Sequence, residues 1–274
     1  MERIFLTGAK GFVGQNLAKT LNKNNCLLAI DDEYFLDDNW EIGLKKLLND
    51  HSPTIIFHVG ACSNTLENDV NYMMIRNYES TKIISDWCAQ NESKLVYSSS
   101  AANYGENGRF PSTLYGWSKY AGEDYVLKNG GVGLRYFNVY GPGEEKKGKM
   151  ASLAHQSYIK HSNGEKVLLF PKKPARDFVY IKDVVSANLY AWNTYDTNKG
   201  KYYEVGTGIA NPFEKVLDFL GISYGYTPTT AIPKGYQYYT CSNKKKWIPG
   251  WQPTHSLKRG IQEYKEILKN KELK

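Results

Sequence analysis

The sequence is poor in the features that mark metal sites, disulfide frameworks and membrane proteins. Its 274 residues include only four cysteines, which show no paired spacing, so neither a metal site nor a disulfide framework is predicted. No apolar run approaches the ~20 residues that a membrane-spanning helix needs. A strand pattern begins within three residues of the first methionine, which leaves no room for a signal peptide. We therefore expect no metal, no membrane partner and a cytoplasmic location.

The net charge of the chain is also moderate. The formal net charge is +7, and the lysines are spread along the chain with short runs at 144–149 and 244–246. Such runs are typical of solvated surface, and one or two of these cations would suit a pyrophosphate. No nucleic-acid-binding module is recognisable, and there is no repeat or low-complexity linker. With 41% hydrophobic residues, the chain can form one large α/β domain or a cofactor domain with a modest second lobe.

A glycine-rich turn follows the first apolar run. Residues 3–7 read as a strand, Gly8, Gly11 and Gly14 come next, and a helical pattern then begins. In a dinucleotide cradle of this type, the first glycine permits a tight turn, the second lets the backbone approach a pyrophosphate, and the third lets helix pack on strand. The spacing is one residue wider than the usual Rossmann pattern.

Two acidic residues end the second predicted strand. A carboxylate at Asp31 or Asp32 can bind the ribose hydroxyls of NAD and would repel the 2′-phosphate of NADP. We therefore predict NAD as the preferred cofactor, with NADP as the alternative. Asp31 has a second interpretation, in which it only caps the segment that follows.

The segment that suggests chemistry is Tyr115-Gly116-Trp117-Ser118-Lys119, preceded by Ser98-Ser99-Ser100. Tyrosine and lysine four residues apart lie on one face of a helix. A Lys119 ammonium beside Tyr115 would favour the phenolate, which requires the pKa to fall about three units from ~10. Ser100 ends a predicted strand, at the edge where open parallel sheets bind ligands, although a serine there can also bond its own backbone.

The predicted fold is α/β, a Rossmann-like doubly wound parallel sheet with a small C-terminal substrate-binding lobe. We expect residues 1–142 and about 177–208 to form the cofactor domain, and about 143–176 and 209–274 to form the lobe. Residues 34–36 are expected as a short third strand and residues 70–88 as one long helix. The segment 176–185 is expected to be a strand and helix that rejoin the main sheet.

Together these motifs resemble the extended short-chain dehydrogenase/reductase family of nucleotide-sugar enzymes. The glycine turn, Ser100, Tyr115, Lys119 and the run 135–142 match it in order. Within the family the chain most resembles the ADP-glycero-manno-heptose 6-epimerase group, through the segments 58–63, 72–74, 147–152, 176–180 and 235–237. The resemblance covers nearly the whole chain.

The resemblance implies roles for individual residues. Tyr115 would remove the sugar hydroxyl proton, Ser100 would orient substrate, Lys119 would bind the nicotinamide ribose, and Lys147 would be a second catalytic lysine. The implied cofactor positions are Gly8, Gly11, Phe12, Val13, Gly14, Asp31, Asp32, Val59, Gly60, Ala61, Ser63, Asn77, Tyr115, Lys119, Val139 and Lys147. The implied substrate positions are Ser100, Asn138, Lys149, Gln156, Phe170, Arg176 and Tyr236.

Several positions depart from the group. Arg76 stands where the group has asparagine, and Asp32 where a neutral side chain helps tolerate NADP. Lys149 replaces a serine and Gln156 a histidine, while 171–174 is more basic than expected. The loops after Asp32 and between Gly105 and Tyr115 are shorter. These changes bear on the identity of the sugar.

Some residues have a structural interpretation as well. Lys147 also fits a solvated charged loop, Arg176 a pair with Asp177 or Asp183, and Asn77 a purely structural bond between helix and sheet.

Three functional hypotheses remain. The first is a heptose-type nucleotide-sugar epimerase acting by transient oxidation with bound NAD. The second is another nucleotide-sugar epimerase or reductase, since Ala101-Ala102 after Ser100 disfavours a dehydratase. The third is a cofactor-binding protein that has lost its chemistry. The expected partner is a nucleotide-diphosphate sugar, and family members generally form homo-oligomers.

Overall fold

The computed structural model describes residues 2–22, 26–60, 62–106, 108–232 and 237–272. The chain divides into two compact units. The first comprises residues 1–136 and 185–203, and the second comprises residues 137–184 and 204–274. The assignment of one part to the cofactor and the other to the substrate stays a prediction.

The first unit is built on a parallel sheet. In the described part of the chain, six strands follow the order β2-β1-β3-β4-β5-β9. They are β1 (Arg3–Thr7), β2 (Cys26–Ile30), β3 (Ile55–His58), β4 (Lys94–Ser100), β5 (Val132–Tyr136) and β9 (Tyr202–Val205), of which β9 reaches into the second unit. β1, β3 and β4 are buried at nearly every position, as strands in the middle of a parallel sheet are, although β4 ends in three serines. β2 lies at the edge, and its first residue, Cys26, is exposed.

Helices connect and flank these strands. They are α1 (Phe12–Leu21), α2 (Trp40–His51), α3 (Val70–Met74), α4 (Ser80–Gln90) and α5 (Leu114–Lys128). α5 begins at the N-cap Thr113, whose hydroxyl accepts the N–H of Gly116. A large apolar cluster packs the faces of α2 and α4 against the sheet, with Leu44, Ile56, Ile84 and Leu95 at its centre. The predicted Rossmann-like α/β fold is confirmed.

The second unit has two small sheets of its own. β8 (Ala175–Tyr180) pairs with β6 (Asn138–Tyr140), β10 (Ala210–Pro212) and β12 (Tyr239–Thr240), and β7 (Val167–Leu169) pairs with β11 (Tyr224–Tyr226). Its helices are α6 (Leu153–Ser162), α9 (Phe213–Leu220) and α10 (Leu257–Glu272). α7 (Ile181–Asn193) begins in this unit and ends in the first, to which α8 (Tyr195–Asn198) belongs.

Two local predictions were wrong. Residues 34–36 lie in a 3₁₀ helix (Asp32–Leu36) because Asp31 caps that segment instead of continuing a strand. The long helix predicted over 70–88 is confirmed as a continuous helical run in which a π-helical turn (Ile75–Glu79) joins α3 to α4. β8 belongs to the sheet of the second unit and not to the main sheet, because its hydrogen bonds run to β6, β10 and β12.

Among the described residues, no helix has both the length and the apolar content needed to cross a membrane.

Two helical glycines are expected to respond oppositely to alanine. A Cβ at Gly122 in α5 would lie 2.6 Å from the Tyr97 Oη, whereas a Cβ at Gly43 in α2 would meet nothing within 4 Å. We expect Gly122→Ala to destabilise the protein by about 1–3 kcal/mol through overpacking, and Gly43→Ala to stabilise it by roughly 0.5–1 kcal/mol through helix propensity. Thermal unfolding midpoints measure both, and shifts of the same sign would contradict this packing.

Candidate functional site

The sheet order brings two backbone turns together at the carboxyl edge. The chain moves from β1 to β2 on one side and returns to β3 on the other, so a crevice opens beyond the ends of β1 and β3. A Cβ at Gly8, where φ is +68°, would lie 2.6 Å from Gly60 Cα, and a Cβ at Gly14 would lie 2.0 Å from Gly8 O. Only glycine permits this close approach.

The helix that follows these turns is open at its amino end. α1 starts at Gly11 without a side-chain cap, with Phe12 buried and Val13 half-buried in its first turn. An uncapped ten-residue helix preceded by glycine turns is the arrangement that binds a pyrophosphate. The residues at this edge therefore fit a dinucleotide such as NAD.

Asp31 caps the 3₁₀ helix (Asp32–Leu36) that follows it, which is the second of its two predicted roles. Its carboxylate accepts the N–H of Lys10 in the glycine turn and the N–H of Asp32, the second over 2.9 Å. Asp31 thus attaches the glycine turn to the end of β2. Asp32 lies next to it, where partial desolvation and the Asp31 charge raise the pKa of its carboxyl while the Arg76 charge opposes them.

A buried histidine connects the two turns to the helices. His58 at the end of β3 contacts Thr7 through Nδ1 (2.7 Å) and Thr81 through Nε2 (2.8 Å). Because the Thr81 hydroxyl donates its only proton to the Asn77 carbonyl (2.8 Å), Nε2 must carry the imidazole proton. Thr7 then donates to Nδ1 and accepts the N–H of Gly60 (2.9 Å). Burial lowers the pKa of His58 to about 3, so the ring is neutral and this direction is maintained.

Asn77 continues this network to the helix that carries the predicted base. Its amide oxygen accepts the N–H of Cys62 (2.7 Å), and its amide nitrogen donates to the Cys62 carbonyl (3.1 Å) and to Ser118 Oγ (2.9 Å). Ser118 in turn donates to the carbonyl of Tyr115 (2.8 Å). Asn77 therefore ties the turn after β3 to α5, as its structural interpretation expects.

Ser100 and Tyr115 are brought together as predicted. Ser100 Oγ accepts the N–H of Ala102 over 3.1 Å, so it caps the 3₁₀ helix (Ala101–Tyr104), and its side chain acts on the pKa of Tyr115. Burial raises the pKa of Tyr115, and the hydrogen bond with Ser100 acts in the opposite direction. A serine that donates to the phenol oxygen favours the phenolate.

Lys119 is placed differently from the expectation. It is 3% exposed, and its Nζ lies 4.4 Å from the centroid of the Tyr97 ring. Burial lowers the pKa of Lys119 to about 7, although the Glu123 charge opposes the change. Without a ligand, burial raises the phenol pKa and leaves the amine only partly charged at neutral pH. The predicted Tyr115 phenolate therefore depends on positive charge that a ligand brings, and it stays a prediction.

Glu123 continues the spacing of Tyr115 and Lys119 along α5. It is 2% exposed, and it pairs with Arg135 in β5 through nitrogen–oxygen distances of 2.5–3.1 Å. The Arg135 guanidinium lies 3.7 Å from the Tyr202 ring centroid and 4.7 Å from that of Tyr104. The carboxylate that acts on Lys119 is therefore itself paired with Arg135. Removing either Glu123 or Arg135 would leave the other charge buried and uncompensated.

In the second unit, Lys147 lies in a 3₁₀ segment (Glu145–Met150) that Gly148 bends with a φ of 51°. Burial lowers the pKa of Lys147, opposed by Glu144, so this lysine is not the fully solvated surface residue of its structural interpretation. Glu144 is fully buried and accepts hydrogen bonds from the N–H of Gly141 (3.1 Å), the N–H of Ser152 and the Ser152 hydroxyl (2.8 Å). Glu144 therefore holds the segment that carries Lys147.

Arg176 and four other residues predicted for the substrate lie in this unit. Arg176 is buried, and its guanidinium donates to the carbonyls of Ala175 and Gln237. Asp177 and Asp183, its expected partners, instead accept bonds from Thr207, Gly208 and Ser242 and from Thr254 and His255. Asn138 and Lys149 are exposed, whereas Gln156 and Phe170 are half-buried. Val139, which was predicted for the cofactor, is also half-buried.

Four predicted positions add little. Val59 is half-buried and Ser63 is exposed beside the turn after β3, while Ala61 and Tyr236 lie outside the described residues. Within those residues, no three His, Cys, Asp or Glu side chains come together as metal ligands would. A cavity of about 410 Å³ opens at the amino ends of β1, β3 and β4, beside Arg3, Thr54 and Lys94, on the edge opposite the predicted residues.

Sequence reasoning missed His58, Thr81, Glu123, Arg135 and Glu144 as parts of the site. Only Glu123 had a local signal, because it continues the four-residue spacing after Lys119. The others depend on contacts between distant segments.

Comparison with known proteins is consistent with this geometry. Residues 4–206 match the model of the NAD dependent epimerase/dehydratase family. The ADP-L-glycero-D-manno-heptose-6-epimerase of Brachyspira hyodysenteriae is 35% identical over an alignment that covers 97% of each chain. The structure of the Helicobacter pylori enzyme of the same name has 26% identity over 98% of this chain and 96% of that one, with a TM-score of 0.83. The UDP-glucose 4-epimerase of Thermotoga maritima is similar in fold, with 23% identity over 99% of both chains and a TM-score of 0.85.

The burial of Lys119 predicts a pH-dependent gain in stability when its amine is removed. The pKa of Lys119 is depressed in the folded state, so the unfolded chain holds the extra proton between about pH 7 and its ordinary pKa, and the native protein gains stability as pH rises through that window. We expect Lys119→Met to raise the unfolding midpoint by ~2 °C or more, and by more at pH 6 than at pH 9. Lys128→Met, at an exposed position of the same helix, is the control. An equal effect of Lys119→Met at both pH values would contradict the depressed pKa.

Proposed function

Because the chain belongs to the NAD-dependent epimerase/dehydratase family, we propose that it is an enzyme that inverts a hydroxyl-bearing carbon of a nucleotide-activated sugar. The observation that carries the proposal is the placement of Ser100 at the end of β4 and of Tyr115 in the first turn of α5, where Ser100 acts on the pKa of the phenol, with Lys119 buried one helical turn further along α5. A sugar carbon without an acidic C–H beside it is inverted through transient oxidation. NAD, when bound, supplies the acceptor and later the donor of the hydride, so the net redox change is zero.

Tyr115 handles the proton of the reacting hydroxyl. Since Ser100 holds its own oxygen against the backbone of Ala102, its proton is directed at the phenol oxygen, and the serine orients substrate there. The phenol pKa is raised by burial, so the base becomes effective when further positive charge enters this edge of the sheet. Lys119 adds charge according to its protonation, which Glu123 favours.

Lys147 is proposed as a second proton handler. The hydroxyl loses its proton as hydride leaves from one face, and the carbonyl oxygen regains a proton as hydride returns to the other face, so each face requires a proton-handling group of its own. A lysine whose pKa is lowered by burial is suited to exchange a proton near neutral pH. Glu144 positions it through the backbone of its segment.

The substrate we propose first is ADP-glycero-manno-heptose, inverted at carbon 6, because the similar Brachyspira protein bears that name. A second candidate is another nucleotide sugar, and the positions that depart from the heptose group favour it. Lys149 is exposed, and the Gln156 amide donates to the carbonyls of Lys149 (3.2 Å) and Ala151 (2.6 Å), so this part of the site differs in charge and shape. The cytoplasmic location and the homo-oligomer stay predictions.

The first test replaces the phenol. We expect Tyr115→Phe to lower turnover by about 10²–10⁴-fold, the usual contribution of a general base, while NAD affinity changes less than twofold. NMR of the sugar product measures inversion with ADP-heptose and with UDP-, GDP- and CDP-sugars, and titration calorimetry measures NAD binding. Tyr120→Phe on the same helix is the control. Full turnover by Tyr115→Phe would refute the enzyme proposal, and inversion of a different sugar would select the second candidate.

The second test separates the two proton handlers. Lys147→Met should leave the first hydride transfer intact, seen as cofactor reduction in a single turnover, but should slow inversion by about 10²-fold or more. Lys146→Met changes its exposed neighbour and serves as the control. Unchanged turnover of Lys147→Met would remove this lysine from the mechanism.

A further inference from the structure

The region beside Asp31 and Asp32 contains an unexplained cation. The Asp31 carboxylate accepts the backbone N–H of Lys10 and caps the 3₁₀ helix through the N–H of Asp32. Since these bonds occupy Asp31, Asp32 is the carboxylate after β2 that is left for a ribose. A cavity of about 300 Å³ opens here, lined by Lys10, Ile30, Asp31 and Tyr34 among others. This is the place where a Rossmann fold distinguishes a ribose hydroxyl from a 2′-phosphate.

Arg76 lies beside the 3₁₀ helix (Asp32–Leu36) that follows β2. It lies in the π-helical turn next to the anchored Asn77, and its guanidinium carbon is 3.8 Å from the centroid of the Tyr72 ring and 5.0 Å from that of Phe35, in the helix that Asp32 begins. Its Nε is buried and has no hydrogen-bond partner among the described residues. Its charge acts on Asp32, since it opposes the rise in the pKa of that carboxyl.

These two groups have opposite preferences for the cofactor. Asp32 can accept bonds from ribose hydroxyls and repels a phosphate, whereas a guanidinium stacked on aromatic rings is pre-organised to bind phosphate in a bidentate way. We propose that Asp32 and Arg76 form an opposed pair that decides between NAD and NADP, in which Asp32 selects NAD and Arg76 is a 2′-phosphate site masked by the Asp32 charge.

The proposal rests on the proposed use of a nicotinamide dinucleotide but not on the identity of the sugar or on the reaction. It gives the unusual residues at positions 32 and 76 one common role in cofactor selection. The shortened loop after Asp32 contains no Lys or Arg before Lys45, so Arg76 on the π-helical turn is the cation proposed to bind the 2′-phosphate.

The test is a double-mutant cycle of cofactor affinity. Titration calorimetry gives Kd for NAD and NADP with the full chain and with Asp32→Asn, Arg76→Met and the double variant. We expect Asp32→Asn to tighten NADP binding about tenfold or more, as for a charge-assisted phosphate contact, and to weaken NAD binding. In the Arg76→Met background, the same substitution should change NADP affinity less than about threefold.

Two controls separate this effect from folding and from overall charge. Asp32→Asn combined with Arg76→Lys keeps the charge and should retain part of the gain in NADP affinity, while Lys128→Met removes a distant cation and should change neither Kd. An equal gain in NADP affinity with and without Arg76 would overturn the proposal while leaving the proposed function intact. Failure to bind either dinucleotide would overturn both.

Discussion

The candidate site in the first unit depends on one neutral imidazole. His58 accepts from Thr7 and donates to Thr81, and each of those hydroxyls has a further backbone partner. Because the Thr81 proton is committed to a carbonyl, the whole chain of bonds has a single direction from Gly60 to Asn77. A charged ring would donate from Nδ1, so the Thr7 hydroxyl proton would lose its acceptor there, and burial disfavours that charge. The glycine turns are thereby held at fixed positions relative to the helix that follows them.

From Asn77 the same network reaches the chemistry. Asn77 joins the turn at Cys62 to Ser118, and Ser118 bonds the carbonyl of Tyr115. The elements that would bind a dinucleotide and the helix that carries the predicted base are therefore linked by buried hydrogen bonds, which are expensive to leave unmade. Such coupling explains how a phenol on α5 is held in register with the serine at the end of β4.

Desolvation governs the electrostatics of both units. Burial raises the pKa of Tyr115 and lowers the pKa values of Lys119 and Lys147, so it favours the neutral form of each group. Ser100, Glu123 and Glu144, respectively, oppose these shifts. Buried carboxylates such as Glu123 and Glu144 are consequently surrounded by donors, through Arg135 in one case and backbone N–H groups in the other. Groups kept near their neutral forms respond strongly to any charge that a ligand introduces.

The local patterns of the sequence by themselves determined the strands of the main sheet, the glycine turn, the helix of Tyr115 and Lys119, and the pairing of Ser100 with Tyr115. Each of these follows from short-range rules of periodicity, glycine conformation and strand-end placement. Only the tertiary structure decided that residues 34–36 are helical, that β8 belongs to a separate sheet and that Lys119 faces Tyr97. It also decided the roles of His58, Glu123 and Glu144, because burial and hydrogen-bond partners are set by segments far apart in the chain. A pKa depends on those partners and not only on neighbours in sequence, which is why the sequence could predict the residues around Tyr115 but not the protonation state of its phenol.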